Sequence, residues 1–232
     1  MTRIRFQQSL DELKENLLVM AGLAEQAIQR AIEAYRVRDL SICDLVSRSE
    51  NAINRLEREI DQSALDLLAM EQPMAIDLRF ILSVIKINAD LERVGDAAKS
   101  ISDRVRNMEQ MAVAELPVDI PRMATLATEM VRKSLQSFIE ADAELARSVL
   151  TMDDAVDAIN RAAYKALTKV MEEQSHIAPQ AFNALMISRS LERVADHATN
   201  IAEDVIFWVQ GDDVRHFKSV EKDGKKKSQP ST

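Results

Sequence analysis

Two stretches of sequence decide the fold: LERVGDAAKSISDRV at Leu91–Val105 and LERVADHATNIAEDV at Leu191–Val205. They are separated by 100 residues, and 8 of their 15 aligned positions are identical. In both stretches the apolar residues recur at alternating steps of three and four, which is the spacing of one buried face of a long helix. The recurrence predicts an internal duplication of about 100 residues.

The duplication continues upstream of these stretches with a different offset. Asp39 aligns with Asp142 and Val46 with Val149, an offset of 103, so the copies differ in length by three residues near the predicted second turn. Each copy is predicted to hold three helices, and the short connections require neighbouring helices to be antiparallel. The predicted helices span residues 7–37, 41–71, 75–111, 119–140, 143–174 and 178–210.

The predicted fold class is therefore all-α, as two tandem three-helix bundles. Only 9 of the 232 residues are Gly or Pro, too few for the turns of a hairpin-rich β fold. The segment AELPVDIP separates the copies, so the first repeat is placed at residues 1–114 and the second at 118–210. Residues 211–232 have no apolar period and are expected to be disordered.

Composition narrows the function. The net charge of −8 disfavours nucleic acid as a partner, because an acidic protein repels phosphate backbones. The single cysteine, Cys43, excludes an internal disulfide and any Cys-rich metal site. No apolar run approaches a membrane span, and the N-terminal MTRIRFQQSL lacks a signal-peptide core. We therefore expect a soluble, intracellular protein that does not span a membrane.

The third helix of each copy carries matched acidic residues. Glu92 and Asp96 stand four apart and Asp103 follows seven later; their counterparts are Glu192, Asp196 and Glu203. On a helix these positions fall within roughly 40° of one another and roughly 160° from the apolar face. The carboxylates are therefore predicted on an outer face.

The second helices carry a similar pattern. Glu50 and Asn54 align with Asp153 and Asp157, and antiparallel packing places them level with the acidic residues of the third helices. By the same spacing, Asp153 also comes level with Asn200. Clustered oxygens of this kind suit hard cations such as Mg²⁺ or Mn²⁺. The alternative is a solvated face whose carboxylates form local ion pairs.

No other motif in the sequence points to catalysis. The one Glu-x-x-His, at Glu173 and His176, is single, whereas a ferritin-like di-iron core needs two. There is no Gly-rich phosphate loop and no G-x-S-x-G nucleophile motif. Nothing in the sequence therefore supports nucleophilic catalysis.

Two segments carry a resemblance to a known family: EQPMAIDLRFILSVIKINADLERVGDAAKSI (Glu71–Ile101) and SLERVADHATNIAEDVIFWVQG (Ser190–Gly211). The chain resembles the PhoU family, bacterial regulators of the phosphate-specific transport system. The resemblance implies a six-helix, two-repeat protein whose acidic motifs hold multinuclear clusters of metal ions: iron, zinc, manganese or magnesium. Asn54 departs from the family pattern, because an amide replaces a carboxylate there, so the first cluster is expected to be smaller or absent.

Mapped by position, the resemblance implies a set of metal-binding residues, to which the acidic pattern adds three candidates. The ligands implied are Glu50, Asn54, Glu92, Asp96, Asp153, Asp157, Glu192 and Asp196. The additional candidates are Asp103, Asn200 and Glu203.

The resemblance also implies partners. A PhoU-like protein would be a cytoplasmic homodimer, peripheral to the inner membrane through contacts with the ATPase subunit of the phosphate ABC transporter and with the phosphate sensor histidine kinase. It would be a regulator and not an enzyme, and it would damp phosphate uptake and silence starvation signalling. Two alternatives from other classes remain at this point: a metal-free helical adaptor that binds basic partner surfaces, and a metal-dependent hydrolase or oxidase.

Overall fold

A computed structural model describes residues 3–70 and 73–214. It confirms the predicted all-α class with six long helices and no strand among these residues. The helices are α1 (Arg3–Val37), α2 (Leu40–Met70), α3 (Ala75–Asn107), α4 (Ile120–Glu140), α5 (Ala143–Glu173) and α6 (Ala178–Gln210). One turn of 3₁₀ helix, Ser175–Ile177, joins α5 to α6. Of the tail predicted to be disordered, residues 215–232 lie outside the described part.

The third helices of the two repeats, α3 and α6, pack against each other and join the repeats. They run antiparallel. The Ser83 hydroxyl donates to the Asp204 carbonyl at 3.0 Å near one end of α3, and Ser190 donates to Ser100 at 3.4 Å further along. Helices α1 and α2 flank α3, and α4 and α5 flank α6. The resulting arrangement places both LERV stretches at the centre of the molecule.

The apolar faces predicted for α3 and α6 are buried. All seven residues of each face have no exposed surface: Val84, Ile87, Leu91, Val94, Ala98, Ile101 and Val105 on α3, and Ala184, Ile187, Leu191, Val194, Ala198, Ile201 and Val205 on α6. Most of them share one continuous core with apolar residues of α1, α2, α4 and α5. The outward face of α3 and α6 is thereby fixed opposite the core.

The two repeats differ at one contact between their second and third helices. A Cβ added to Gly95 of α3 would lie 2.9 Å from Cδ1 of Ile53 on α2. The duplication places buried Ala195 and buried Val156 at the corresponding positions. The first repeat therefore combines a smaller residue on its third helix with a larger one on its second, and the second repeat does the reverse.

Two predicted helix boundaries are wrong. Helix α1 begins at Arg3, four residues before the predicted start at residue 7. Helix α3 ends at Asn107, four residues before the predicted end at 111. The chain turns there because Met108 packs its side chain into the core, 1% exposed, while Arg38 donates from Nη1 to the Met108 carbonyl at 3.0 Å. No described helix is long and apolar enough to cross a membrane.

Candidate metal-binding sites

The first acidic site lies where α2 and α3 pack together, and we define it as Glu50, Asn54, Glu57, Glu92 and Asp96. Asn54 donates from Nδ2 to Glu50 Oε1 at 2.5 Å, which aligns the two side chains along α2. The Oδ1 atom of Asn54 is buried and has no hydrogen-bond partner. A buried, unpaired amide oxygen is unfavourable unless a donor or a cation satisfies it.

Glu92 reports how close the carboxylates of this site are. It is half-buried, and burial raises the pKa of its carboxyl group above the ordinary 4.5. Repulsion from Asp96, one turn along α3, and from Glu57 on α2 adds to this increase, whereas Arg93 lowers it. Glu57 of α2 and Asp96 of α3 are therefore both near enough to Glu92 to repel its negative charge.

Sequence reasoning missed Glu57. It lies three residues after Asn54, so the helical period places both on one face of α2. The signal was available in the duplication: Asn54 and Glu57 align with Asp157 and Asn160, so carboxylate and amide have exchanged positions. Asn160 accepts a hydrogen bond from Ser188 at 2.8 Å. The first repeat thus regains at Glu57 the carboxylate that Asn54 lacks.

The second acidic site consists of Asp153 and Asp157 on α5 with Glu192 and Asp196 on α6. Asp196 is an exposed residue, yet neighbouring atoms cover part of its carboxyl group, and this burial is the largest influence on its pKa. Repulsion from Glu192, Asp153 and Asp157 acts in the same direction, His197 opposes it, and the pKa rises from 3.8 to about 6. The three other carboxylates are therefore near enough to Asp196 to repel its negative charge.

The three additional candidates have other surroundings. Asp103 forms an ion pair with Lys99 on α3. Asn200 donates to buried Asp90 at 3.1 Å, in the contact between α3 and α6. Glu203 is half-buried on α6. Asn200 thereby supports the packing of the two repeats through the same carboxylate oxygen that lies 2.9 Å from His197 Nδ1.

The donor chemistry of both sites fits a hard divalent cation. Each site offers carboxylate oxygens, and the first adds the unpaired Asn54 Oδ1. Mutual repulsion is what a bound cation would relieve. Across residues 3–70 and 73–214, however, no three His, Cys, Asp or Glu side chains converge into a ready-made single-ion site. The residues fit a cation in kind, and binding would draw their side chains together.

Comparison with known proteins identifies the family. A sequence model described as the PhoU domain matches residues 17–105 and again 120–205, one match for each repeat. The chain belongs to the PhoU family. Each match begins in the first helix of its repeat, α1 or α4, and ends in the third, α3 or α6, so it includes both helices that carry the acidic site of that repeat.

Individual PhoU proteins are similar in sequence to this chain over nearly its whole length. The chain is 36% identical over 214 residues to the phosphate-specific transport system accessory protein PhoU homolog of Pseudomonas aeruginosa, which covers 92% of this chain and 88% of the relative. It is 31% identical to the homolog of the same description from Clostridium acetobutylicum, covering 92% and 98%. These relatives are accessory proteins of phosphate transport.

Solved structures give the same result. The crystal structure of PhoU from Pseudomonas aeruginosa superposes with a TM-score of 0.86 at 35% identity, covering 89% of this chain and all of that one. The phosphate transport system regulatory protein PhoU from Streptococcus pneumoniae superposes with a TM-score of 0.83 at 29% identity, covering 90% and 99%. The fold of this chain is therefore the PhoU fold.

Proposed function

We propose that this protein is a negative regulator of phosphate uptake and of phosphate-starvation signalling, which acts by contact with the transporter's ATPase subunit and with the sensor kinase. The observation that carries the proposal is the double PhoU match, because it covers both repeats of a chain whose relatives are accessory proteins of phosphate transport. A protein that lacks catalytic motifs influences a transporter by binding one of its conformations better than another.

In the proposed mechanism, the two acidic sites hold divalent cations through Glu50, Asn54, Glu57, Glu92 and Asp96, and through Asp153, Asp157, Glu192 and Asp196. A bound cation would supply positive charge to these clusters of carboxylates. The carboxylates of this chain would hold it, and the buried apolar faces of α3 and α6 keep the helices at a fixed spacing.

A metal-free adaptor is the second candidate. It is favoured by the lack of a converged three-residue ligand set within the described helices. In this form the acidic sites contact a basic partner surface directly, and exposed charge pairs across an interface steer association in a salt-dependent way.

A binding experiment tests the proposal and separates the two candidates. The purified ATPase subunit is immobilised and the full chain is captured at low and high salt, with and without chelator. We expect capture by the wild type to be lost at high salt and to be strongly reduced in Glu192→Gln/Asp196→Asn. The control Glu12→Gln/Glu15→Gln removes two charges from the exposed surface of α1 and should bind as the wild type does.

The chelator arm distinguishes the mechanisms. Loss of capture in chelator supports the metal-dependent form, and capture that persists in chelator but is sensitive to salt supports the metal-free adaptor. Capture that is absent in every condition, or that ignores both salt and the acidic-site variant, would contradict regulation through this surface.

A further inference from the structure

The outer face between α3 and α6 holds a groove of about 470 Å³ with a charge unlike that of the rest of the molecule. We call it the α3–α6 groove. Its lining includes four permanently cationic side chains and two carboxylates, in a protein whose net charge is −8. The cationic residues are Arg93, Lys99, Arg104 and Arg193, and the carboxylates are Asp96 and Asp103.

The duplication explains why two of the arginines meet. Ser100 contacts Ser190, and Asp90 contacts Asn200. These pairs are spaced symmetrically about residues 95 and 195, so a local twofold axis relates α3 to α6 at that level. Arg93 and Arg193, which occupy the same position in the two LERV stretches, therefore reach the groove from opposite helices.

Two of these four cations form no ion pair within the described residues, and a third has only a long one. Lys99 pairs with Asp103, but Arg104 and Arg193 form no ion pair there, and Arg93 Nη1 is 4.0 Å from Asp90. Arg193 donates from Nη2 to the Ser190 hydroxyl at 3.2 Å. A guanidinium has several further N–H donors, which this bond does not occupy and which can bind a ligand. Guanidinium groups left in this way are suited to bidentate binding of an oxyanion.

We propose that the α3–α6 groove binds a small phosphate-bearing anion, held between Arg93 and Arg193 with Lys99 and Arg104 on one side. A phosphate group presents oxygens in several directions, so it can accept from guanidinium groups on two opposite helices, whereas a single carboxylate is planar and accepts in one plane. The groove is open and larger than one phosphate ion, so it accommodates a group attached to the phosphate.

This site goes beyond the proposed regulatory function and does not require a metal ion, although Asp96 belongs both to the first acidic site and to the wall of the groove. The two carboxylates lower the positive potential of the groove and so reduce its attraction for every anion. The guanidinium groups of Arg93 and Arg193 favour an oxyanion over chloride, because each can donate to two oxygens at once.

Equilibrium dialysis of the full chain against labelled inorganic phosphate tests the proposal, with pyrophosphate and ATP in parallel arms, chloride as the background anion and chelator present throughout. We expect saturable binding of at least one of the three probes in chelator. Tighter binding of inorganic phosphate identifies the free ion as the ligand, and tighter binding of pyrophosphate or ATP identifies a phosphate ester or anhydride.

Variants connect binding to the groove. Arg93→Gln/Arg193→Gln should weaken binding by about tenfold or more, because hydrogen bonds to a charged group are lost. Arg193→Lys keeps the charge without the planar guanidinium group, so this variant should bind more weakly than the wild type but more tightly than the double glutamine variant. Arg132→Gln removes an exposed arginine of α4 that does not line the groove, and should bind as the wild type does.

The proposal is overturned if no probe binds saturably, if the double variant binds as tightly as the wild type, or if chloride competes equally at matched ionic strength. Circular dichroism confirms that the variants are folded. Failure of this experiment leaves the regulatory proposal intact, because capture by the ATPase subunit is measured without added phosphate.

Discussion

The two acidic sites use the same helical positions but distribute their oxygens differently. In the second site, Asp196 is surrounded by three carboxylates, from Glu192, Asp153 and Asp157, and its pKa rises to about 6. In the first, Glu92 is opposed by Asp96 and Glu57. Both repeats have therefore kept a cluster of negative charge at this place, although the individual residues that supply it differ.

The exchange of amide and carboxylate positions on the second helices reduces the difference in carboxylate number that was expected between the two sites. From sequence, Asn54 alone suggested that the first site is the smaller. With Glu57 close to Glu92, the first site also has four carboxylates. The second remains the more strongly negative at one point, around Asp196, and one of its carboxylates, Asp157, is paired at 3.0 Å with Arg161.

The cores of the two repeats should respond alike to the loss of a large side chain, and this is the largest effect we expect. Leu91 and Leu191 have no exposed surface and occupy the same position in the two copies. Leu91→Ala and Leu191→Ala should each lower the free energy of unfolding by roughly 2–5 kcal/mol. Denaturant unfolding measures both.

Glu92→Gln and Glu192→Gln are the matched surface controls and should stay within about ±0.5 kcal/mol in metal-free protein. If either leucine variant were as stable as the wild type, the assignment of buried faces in that repeat would be wrong.

The exchanged methyl group gives a smaller effect that couples two residues. Ile53→Val should cost about 0.5–1.5 kcal/mol, because it leaves a space beside Gly95. Adding Gly95→Ala fills that space and reproduces the residue pair of the second repeat, so the double variant should be at least as stable as the wild type. A double-mutant cycle in denaturant measures the coupling, and strictly additive effects would show that the two residues do not share one space.

The raised pKa of Asp196 predicts a pH dependence in metal-free protein. Between about pH 4 and pH 6 the folded state holds a proton that the unfolded state has released, so folding binds a proton. The contribution of Asp196 to the free energy of unfolding should therefore fall as the pH rises through this window. Asp196→Asn should remove this component, as measured by denaturant unfolding in chelator at pH 4, 5, 6 and 7.

If the free energy of unfolding of Asp196→Asn depended on pH as that of the wild type does, the crowding of carboxylates around Asp196 would not be the cause of the pH dependence. Glu92→Gln should remove a component of the same sign from the first site, because the pKa of Glu92 is also raised.

The smallest effect concerns the amide of the first site. Asn54→Asp adds a carboxylate beside Glu50 and should tighten Mn²⁺ binding by the weaker of the two sites. Asn16→Asp makes the same charge change on the exposed surface of α1, outside the acidic site, and serves as the control. Calorimetric titration after chelation measures both. If both substitutions tightened Mn²⁺ binding equally, the cause would be the added negative charge of the protein as a whole and not a ligand at the site.

The helical fold could be predicted from sequence because the apolar period of α3 is repeated 100 residues later in α6. The same period placed Glu92 and Glu192 away from the core. The contact between α3 and α6 could not be predicted in the same way, because it depends on Asp90, Asn200 and Ser190, polar residues that lie within the packing of the two repeats and carry no periodic signal.

Two further features were not predicted from the sequence. The end of α3 at Asn107 depends on a tertiary bond from Arg38 to Met108, whereas the local sequence continues to favour helix. Glu57 required comparison of the amide and carboxylate positions in both repeats. Side chains that meet across helices are set by packing, which local spacing only constrains.

The most direct test of the two acidic sites is the metal content of protein purified without chelators, measured by elemental analysis for the wild type and three double variants. Glu92→Gln/Asp96→Asn should lose the metal of the first site, and Glu192→Gln/Asp196→Asn should lose the larger share, while Glu12→Gln/Glu15→Gln should match the wild type. We expect metal bound to the wild type and reduced in each acidic-site variant. Metal content that is the same in all four proteins would contradict the assignment of these carboxylates as a metal-binding surface.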